Sequence, residues 1–441
     1  MSMRLRKCVP RRRSVSWTRF VPGRSRSQGA NQKDETAART APTGLTGLRV
    51  VDFSSMFMGP YCSMMLAQWG ADVIKVEPPH GDVVRYLGDE RNTGMGPIFL
   101  NANRGKRSIS LDLKRSESSE VLRPLLRKAD VVIHNFRPAV EASLRLRGTD
   151  VLAHNPQVVC CAFRGFGTSG PYAGRPAYDD IIQAASGMAS VQGNGGPPEY
   201  VRTVAADKIV GIMGLAAILG ALVERASTGS GQLVEVPMFE TMASFMLMEQ
   251  QGGWIFDPPE GADGYVRTAS PHRHPYPTKD GYLSVMIYTD AHWRAFFEMV
   301  GRTELIDDSR YSSMRERTRN IDELYALVAA ELVGRTTGQW QADMETRDIP
   351  SMPVNSITDL FRDPHLEAVD FFESVNDPTH GAMRYARPPV IVGKASSGLR
   401  PTPSLGQHSL EIARELGLSE SRIGHLTQVG AIAAQATEGL V

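Results

Sequence analysis

The alternation of strand-like and helix-like segments that begins at Leu48 restricts the possible folds of this chain more than any other feature. Leu48–Phe53 and Asp72–Glu77 have the length and residue types of strands, and Tyr61–Trp69 between them has helical periodicity. The alternation continues, with further strands predicted over residues 107–113, 130–136, 157–163 and 233–236. Parallel strands need crossover connections of this kind. The sequence therefore predicts an α/β fold with a large, Rossmann-like, mostly parallel sheet covered by helices on both faces.

The chain has 441 residues, enough for more than one domain. A loop rich in Pro, Gly and Asp over residues 257–264 predicts a domain boundary. We predict a disordered basic tail or presequence over 1–40, a large domain over 41–255, a smaller α+β domain over 256–370, and a return of residues 371–441 to the large domain.

Charge is distributed unevenly along the chain. Residues 1–40 carry nine Arg and two Lys against Asp34 and Glu35, whereas the whole chain has a net charge of only +1. The remaining body is therefore mildly acidic, which gives no electrostatic reason to expect a nucleic-acid or membrane partner. The tail lacks the apolar stretch of a secretory signal, so we predict a cytoplasmic protein, with a mitochondrial transit peptide left open.

The four cysteines show no metal-binding spacing, and no metal site is predicted. Cys160 and Cys161 are adjacent in a predicted strand, so their side chains should point to opposite faces of the sheet. The turn after Phe53 reads SSMFMGPY rather than GxGxxG, which argues against NAD or FAD. Phosphate-loop, zincin and GxSxG motifs do not occur.

Two predicted helices begin with carboxylates: one near Asp179 and Asp180, the other at Lys208, directly after Asp207. Free N–H groups at a helix start stabilise an anion, so we expect such a carboxylate to stay ionised. An ionised, accessible carboxylate can act as a nucleophile without a metal. An ordinary capping role is the alternative at both positions.

Several blocks of the sequence resemble the family III CoA-transferases, whose relatives include α-methylacyl-CoA racemase. They are MGPYCSMMLAQWGADVIKVEPPHGD (58–82), NRGKRSISLDLK (103–114), ADVVIHNFRP (129–138), RGFGTSGPYAGRPAYDDIIQAASGM (164–188), TGSGQLVEVPMFE (228–240), HPYPTKDGYLSV (274–285) and LGQHSLEIARELGL (405–418). The resemblance extends from about residue 45 onward.

The resemblance implies that CoA moves between an acyl-CoA thioester and a free carboxylic acid, and that the large domain binds CoA. The family's catalytic aspartate corresponds to Asp207, which would form a mixed anhydride and then an aspartyl-CoA thioester. No metal, redox group or tightly bound cofactor is implied, since CoA takes part as a thioester substrate. An interlocked homodimer is also implied.

The same resemblance implies a set of CoA contacts: Met58, Leu111, Lys114, Asn135, Phe136, Ala177, Tyr178 and Asp179. Of these, Lys114 suits a phosphate. Residues 193–198 and the pair Gly252 and Gly253 are candidate donors to developing oxyanions, with a plain turn as the alternative.

The sequence departs from the family pattern at Phe57 and Met58, where relatives often have Gln-Ala, and at Thr168, where many have Gln. These changes leave the acyl group open: the apolar residues favour a hydrophobic or branched chain, and a dicarboxylate remains possible. An acyl-CoA racemase is the first alternative function, but Tyr178 stands where racemases carry a His, and tyrosine is a poor base at neutral pH. A non-catalytic CoA-binding protein is the second.

Overall fold

The computed structural model describes residues 44–377, 380–390 and 400–433; the predicted tail over residues 1–40 lies outside them. Its strands are β1 (Arg49–Asp52), β2 (Asp72–Glu77), β3 (Arg107–Leu111), β4 (Val131–His134), β5 (Val159–Arg164), β6 (Gln232–Pro237), β7 (Tyr276–Pro277), β8 (Tyr282–Val285), β9 (Ser351–Pro353), β10 (Phe372–Asp377), β11 (Gly381–Ala386) and β12 (Ile432–Ala433).

The helices follow the strands in the predicted alternation as far as β5. They are α1 (Met58–Gln68), α2 (Pro97–Ala102), α3 (Ser119–Arg127), α4 (Pro138–Leu144), α5 (Gly148–His154), α6 (Asp179–Ala185), α7 (Met188–Gly193), α8 (Ala205–Thr228), α9 (Met238–Gln250), α10 (Val266–Ala269), α11 (Asp290–Met299), α12 (Met314–Arg319), α13 (Ile321–Leu332), α14 (Thr337–Glu345), α15 (Pro364–Ala368), α16 (Ser409–Glu415) and α17 (Glu420–Gln428).

A seven-stranded sheet with the order β12-β3-β2-β1-β4-β5-β6 organises the described chain. Neighbours from β3 to β6 pair in parallel, and β12 pairs antiparallel with β3. The first six strands have the order 3-2-1-4-5-6 of doubly wound folds, in which the direction of winding reverses between β1 and β4. The predicted α/β class with a mostly parallel sheet is confirmed, and the reversal marks where such folds bind ligands.

Each face of this sheet has its own hydrophobic core. On one face α1, α8 and α9 pack through residues that include Leu66, Val210 and Met242. On the other face α3, α5, α16 and α17 cover the sheet. Cys161 belongs to the first core and Cys160 to the second, as the strand alternation predicts.

A separate core surrounds the three-stranded antiparallel sheet β7-β8-β9. Side chains of α11, α13 and α14 fill it, among them Trp293, Leu324 and Trp340. Strands β10 and β11 form an antiparallel pair, and α16, α17 and β12 then pack on the large sheet. The domain boundaries given above stay predictions.

Helix α8 begins at Ala205 and extends to Thr228, so it is longer than the predicted segment from Lys208 to Arg225. By length and composition it is the one described helix that could cross a membrane. The same features are typical of a core helix, and α8 packs against α1, β5, β6 and α9.

A cluster of six buried charges lies beside the carboxyl ends of β1 and β2. It consists of three ion pairs: Lys106 with Asp52 (3.0 Å), Lys75 with Asp82 (3.0 Å) and Arg85 with Glu77 (2.7 Å). All six residues are at most 3% exposed. Burial acts to raise the pKa of Asp52, but Lys106, Lys75 and the hydroxyls of Ser54 and Ser63 together outweigh it and lower that pKa to about 2. The cluster thus pairs three acidic with three basic side chains away from water.

We expect Lys106→Met to destabilise the protein by about 3–5 kcal/mol, because it removes one partner of a buried pair and leaves Asp52 undercompensated. Urea unfolding monitored by circular dichroism measures the change. Arg414→Ala is the control, since it removes an exposed pair with Glu420 and should change stability by less than about 1 kcal/mol. Equal losses in the two variants would contradict the interpretation.

Candidate active site

A cavity of about 780 Å³ opens at the carboxyl ends of four parallel strands. Residues at or shortly after the ends of these strands line it: Ser55 three residues after β1, Asn135 directly after β4, Arg164 at the end of β5, and Met238 directly after β6. The cavity thus lies at the point where the winding reverses between β1 and β4, where doubly wound folds bind ligands. Its size suits a small-molecule substrate.

Asp207 enters this cavity from the first turn of α8. Val204, before the helix, provides no side-chain cap; instead the Asp207 N–H donates to Oδ1 of Asp179 on α6 at 2.9 Å. Oδ2 of Asp179 accepts a bond from the buried Gln183 at 2.6 Å. The Gln183 amide also accepts a bond from the Val201 N–H at 2.9 Å. Helix α6 therefore fixes both the start of α8 and the segment before it.

Two expectations about Asp207 were wrong. The helix begins at Ala205 rather than at Lys208, so Asp207 lies inside the first turn and not before it. Its pKa is raised to about 7, by burial first and by the Asp179 carboxylate second, whereas the helix start was expected to keep it readily ionised. Near neutral pH both the acid and the carboxylate forms of Asp207 are therefore populated.

Most of the predicted site residues meet in the cavity. Alongside Asp207, the lining includes Met58, Asn135, Phe136, Ala177, Tyr178 and Asp179. Phe57 and Thr168, where the sequence departs from the family pattern, line it as well. Residues up to about 150 positions apart in sequence are thus brought together by the sheet, although their individual contacts with CoA stay predictions.

Leu111 and Lys114 do not line this cavity. Leu111 is 1% exposed and packs in the core beneath α16 and α17, and Lys114 is exposed beyond the end of β3. The reason is topological, since β3 is two strands away from β1 and the reversal point. The predicted oxyanion donors in residues 193–198 and at Gly252 and Gly253 are also absent from the lining, which instead includes Gly165 and Gly174.

Three arginines that were not predicted line the cavity. Arg164 is compensated, because its guanidinium lies 2.7 Å from Glu141 and 3.3 Å from Glu235. Arg137 and Arg175 form no ion pair within the described part of the chain and are exposed. The signal for Arg137 was present in the HNFRP block, but sequence gives no means of telling a paired arginine from an unpaired one.

The described residues include no group of three or more His, Cys, Asp or Glu side chains placed to hold a metal ion. The cavity itself brings a desolvated carboxylate together with cationic and apolar side chains.

We expect Asp207→Asn to stabilise the protein above pH 7, by on the order of 1–3 kcal/mol. The folded-state pKa near 7 exceeds the ordinary aspartate value, so the wild type loses stability as pH rises from about 4 to about 7, whereas asparagine does not titrate. Thermal unfolding between pH 5 and pH 8 measures the difference. Asp180→Asn, an exposed neighbour in the same cavity, is the control and should show no such growth with pH. A flat difference for Asp207→Asn would contradict the pKa assignment.

Comparison with known proteins places the chain in a family. Residues 45–409 match the model of CoA-transferase family III. An acyl-CoA transferase of Fusarium pseudograminearum is 32% identical, covering 90% of each chain. A succinate–glutarate CoA-transferase of Agrobacterium fabrum is 31% identical over 84% of this chain and 95% of its own. The crystal structure of a CAIB/BAIF family protein from Brucella suis is 30% identical, with a TM-score of 0.72, covering 85% of this chain and all of that one.

These matches confirm the resemblance predicted from the sequence blocks. They support CoA-transferase activity and a CoA thioester substrate. The chain belongs to CoA-transferase family III.

Proposed function

We propose that this enzyme transfers CoA between an acyl-CoA thioester and a free carboxylic acid through covalent intermediates on Asp207. The observation that carries the proposal is the position of Asp207, whose backbone is fixed by Asp179 and whose carboxylate is desolvated in the cavity. A poorly solvated carboxylate with a raised pKa is more nucleophilic than one in water.

The reaction balances in four exchanges at carboxyl carbons. The Asp207 carboxylate attacks the thioester carbonyl, forming a mixed anhydride and releasing CoA thiolate. The thiolate attacks the Asp207 acyl carbon, giving aspartyl-CoA and the first free acid. The acceptor carboxylate attacks aspartyl-CoA to form a second anhydride and release the thiolate, which then attacks the acceptor acyl carbon and frees Asp207. Each activated acyl bond is exchanged for another, so no ATP is required.

Arg137 and Arg175 are the cavity cations available for the phosphates of CoA. Both are exposed and lack ion-pair partners in the described chain, and guanidinium groups match phosphate geometry. Phe136 and Tyr178 offer ring surfaces for the adenine in the same cavity. Met58, Asn135, Ala177 and Asp179 remain proposed CoA contacts, and Leu111 and Lys114 would serve only if part of CoA extends outside the cavity.

The lack of a histidine partner for Asp207, among the described residues that line the cavity, argues for transfer over racemisation. A racemase must remove a proton from one face of the α-carbon and return one to the other, which needs two such groups. No histidine is among the described residues that line the cavity. This favours the transferase, with proton exchange kept as an outcome of the test.

Incubation with an acyl-CoA panel followed by borohydride or hydroxylamine trapping should modify Asp207 in the wild type. Asp207→Asn should show no adduct, because the amide is not a carboxylate nucleophile, and its turnover should fall by at least about a thousandfold. Intact-mass measurement with peptide mapping reports both. Asp180→Asn is the matched control, since its carboxylate lines the same cavity and the variant should still be trapped at Asp207.

A trapped adduct at any other residue would contradict the proposal. Deuterium entering the α-carbon of an acyl-CoA in heavy water, without an adduct, would instead support the racemase. CoA binding without either reaction would support a non-catalytic CoA-binding protein.

We also propose that two copies of the chain form an obligate homodimer. Helices α8 and α9 expose large apolar side chains, of which Met248 is 87% exposed and Met213 and Phe245 are about half exposed. The segment that follows α9 also exposes Trp254, at 62%. Large exposed apolar surfaces are typical of protein interfaces. A second copy covering them also agrees with the family's interlocked form.

Dilution should therefore yield no folded monomer. Sedimentation velocity from about 50 µM to about 50 nM, combined with circular dichroism, should show a dimer until helical signal is lost. Met248→Glu should shift dissociation to higher concentration, because it places a charge in the apolar interface. A folded, stable monomer in the wild type would contradict the proposal.

A further inference from the structure

The turn after β1 is held by buried side chains. The segment Ser54–Met56, called here the β1 turn, precedes α1. The Ser54 N–H donates to Asp52 at 2.9 Å, and the Ser54 carbonyl accepts from the Lys75 ammonium at 2.8 Å. The Met56 N–H donates to Oδ1 of Asp82 at 3.3 Å. The side chains of Asp52, Lys75 and Asp82 belong to the buried charge cluster, so the cluster fixes both ends of the turn.

Asn135 holds the middle of the β1 turn. Its Oδ1 accepts from the Ser55 N–H at 3.1 Å, and its Nδ2 donates to the Ser55 carbonyl at 2.9 Å. The Asn135 side chain thus pairs with both the backbone N–H and the backbone carbonyl of Ser55, as a neighbouring strand would. Asn135 follows β4, so this pair of bonds connects the two strands on either side of the winding reversal.

The conformation that these contacts hold is a strained one. Met56 has a φ of 70°, in the left-handed region. For a residue other than glycine this conformation costs about 1–2 kcal/mol. Such strain persists where the surroundings over-determine it, and it is concentrated at ligand sites.

The β1 turn determines where Phe57 and Met58 lie relative to Asp207. Both line the cavity, and Met58 begins α1. The carbonyl of Met58 approaches α8 at Gly211 so closely that a Cβ there would lie 2.8 Å from it. Gly211 is one helical turn after Asp207 and on the same side of α8. Phe57 and Met58 form an apolar wall of the cavity. A shift of the β1 turn would therefore move this apolar wall directly against the helix that carries Asp207.

Of the three arginines that line the cavity, Arg137 and Arg175 are assigned above to the phosphates of CoA. Arg164 is neutralised by Glu141 and Glu235. Phe163 and Met238 extend the apolar surface of the cavity. Against the apolar side chains of Phe57 and Met58 a second carboxylate on an acyl group would lose water, which costs free energy, whereas an aliphatic group would not.

We infer that Asn135 and Asp82 are positioning residues: through the β1 turn they hold Phe57 and Met58 as a rigid apolar wall that selects aliphatic acyl groups over dicarboxylic ones. This rests on the proposed function, because it takes the cavity beside Asp207 as the acyl site.

The test compares kcat/KM for isobutyryl-CoA and succinyl-CoA, each with the isotopically labelled free acid of the same acyl group as acceptor. The wild type should prefer isobutyryl-CoA by at least about tenfold, the size of effect expected for a shaped apolar pocket. Asn135→Ala should reduce this preference by about tenfold or more, since a wall that moves no longer discriminates. Asn135→Asp is the second variant. It should also reduce the preference, because a carboxylate oxygen would face the Ser55 carbonyl in place of the donating amide.

Asn155→Ala is the matched control. The Asn155 amide also holds backbone, donating to the Ala129 carbonyl at 2.7 Å, but it lies outside the cavity lining. This variant should lose stability and keep the wild-type preference. Thermal unfolding of each variant verifies that the folded state is intact.

Two results would overturn the inference. In the first, both Asn135 variants lower kcat/KM equally for the two donors, as a CoA contact or a general structural role would. In the second, the wild type prefers succinyl-CoA. Neither result resembles failure of the proposed function, in which Asp207→Asn would retain turnover of every donor.

Discussion

The buried charge cluster beside β1 and β2 is the constraint on which the site depends. Apolar burial determines where the sheet forms, but it does not determine the path of the chain after a strand ends. Lys75 and Asp82 fix that path by holding the backbone of the turn that follows β1. Removing charges from water is costly, so the cluster is stable only when every member is paired. Because every charge of the cluster must keep its partner, the β1 turn that the cluster holds is rigid.

Burial and neighbouring groups together lower the pKa of Asp52 but raise that of Asp207. Here two carboxylates, Asp207 and Asp179, lie near each other, and burial first and the Asp179 charge second raise the pKa of Asp207 to about 7. Stability is reduced above neutral pH in exchange for a carboxylate that water solvates poorly. In the proposed reaction such a carboxylate would act as the nucleophile without a metal or an activating base.

Much of the fold follows from the sequence because the strands are short apolar or β-branched runs with clear ends. β2 has the predicted bounds, and β3 differs by only two residues. The start of α8 was placed three residues late, because the apolar periodicity is clear only after Asp207 and the cap comes from Asp179 on another helix. Local sequence carries no signal for a cap provided from 28 residues away.

The site was predictable by residue identity but not by electrostatics. Asn135 and Phe136 were identified through a sequence block and Asp207 through its correspondence to the family's catalytic aspartate, and the cavity brings them together. The raised pKa of Asp207 was missed because it depends on burial and on Asp179, which only the fold establishes. Leu111 was expected beside CoA, yet it packs in the core beneath α16 and α17, because β3 lies two strands away from β1 and the reversal point.

Oxygen transfer tests the central claim, covalent catalysis by Asp207, most directly. With an acceptor acid labelled with ¹⁸O in both carboxylate oxygens, each completed cycle should leave one ¹⁸O in the acyl-CoA product and one in the Asp207 carboxylate, since the anhydride oxygen stays with the aspartate. Mass spectrometry of the peptide containing Asp207 should show the label accumulating over several turnovers. Formation of the acyl-CoA product without any ¹⁸O in Asp207 would contradict the account.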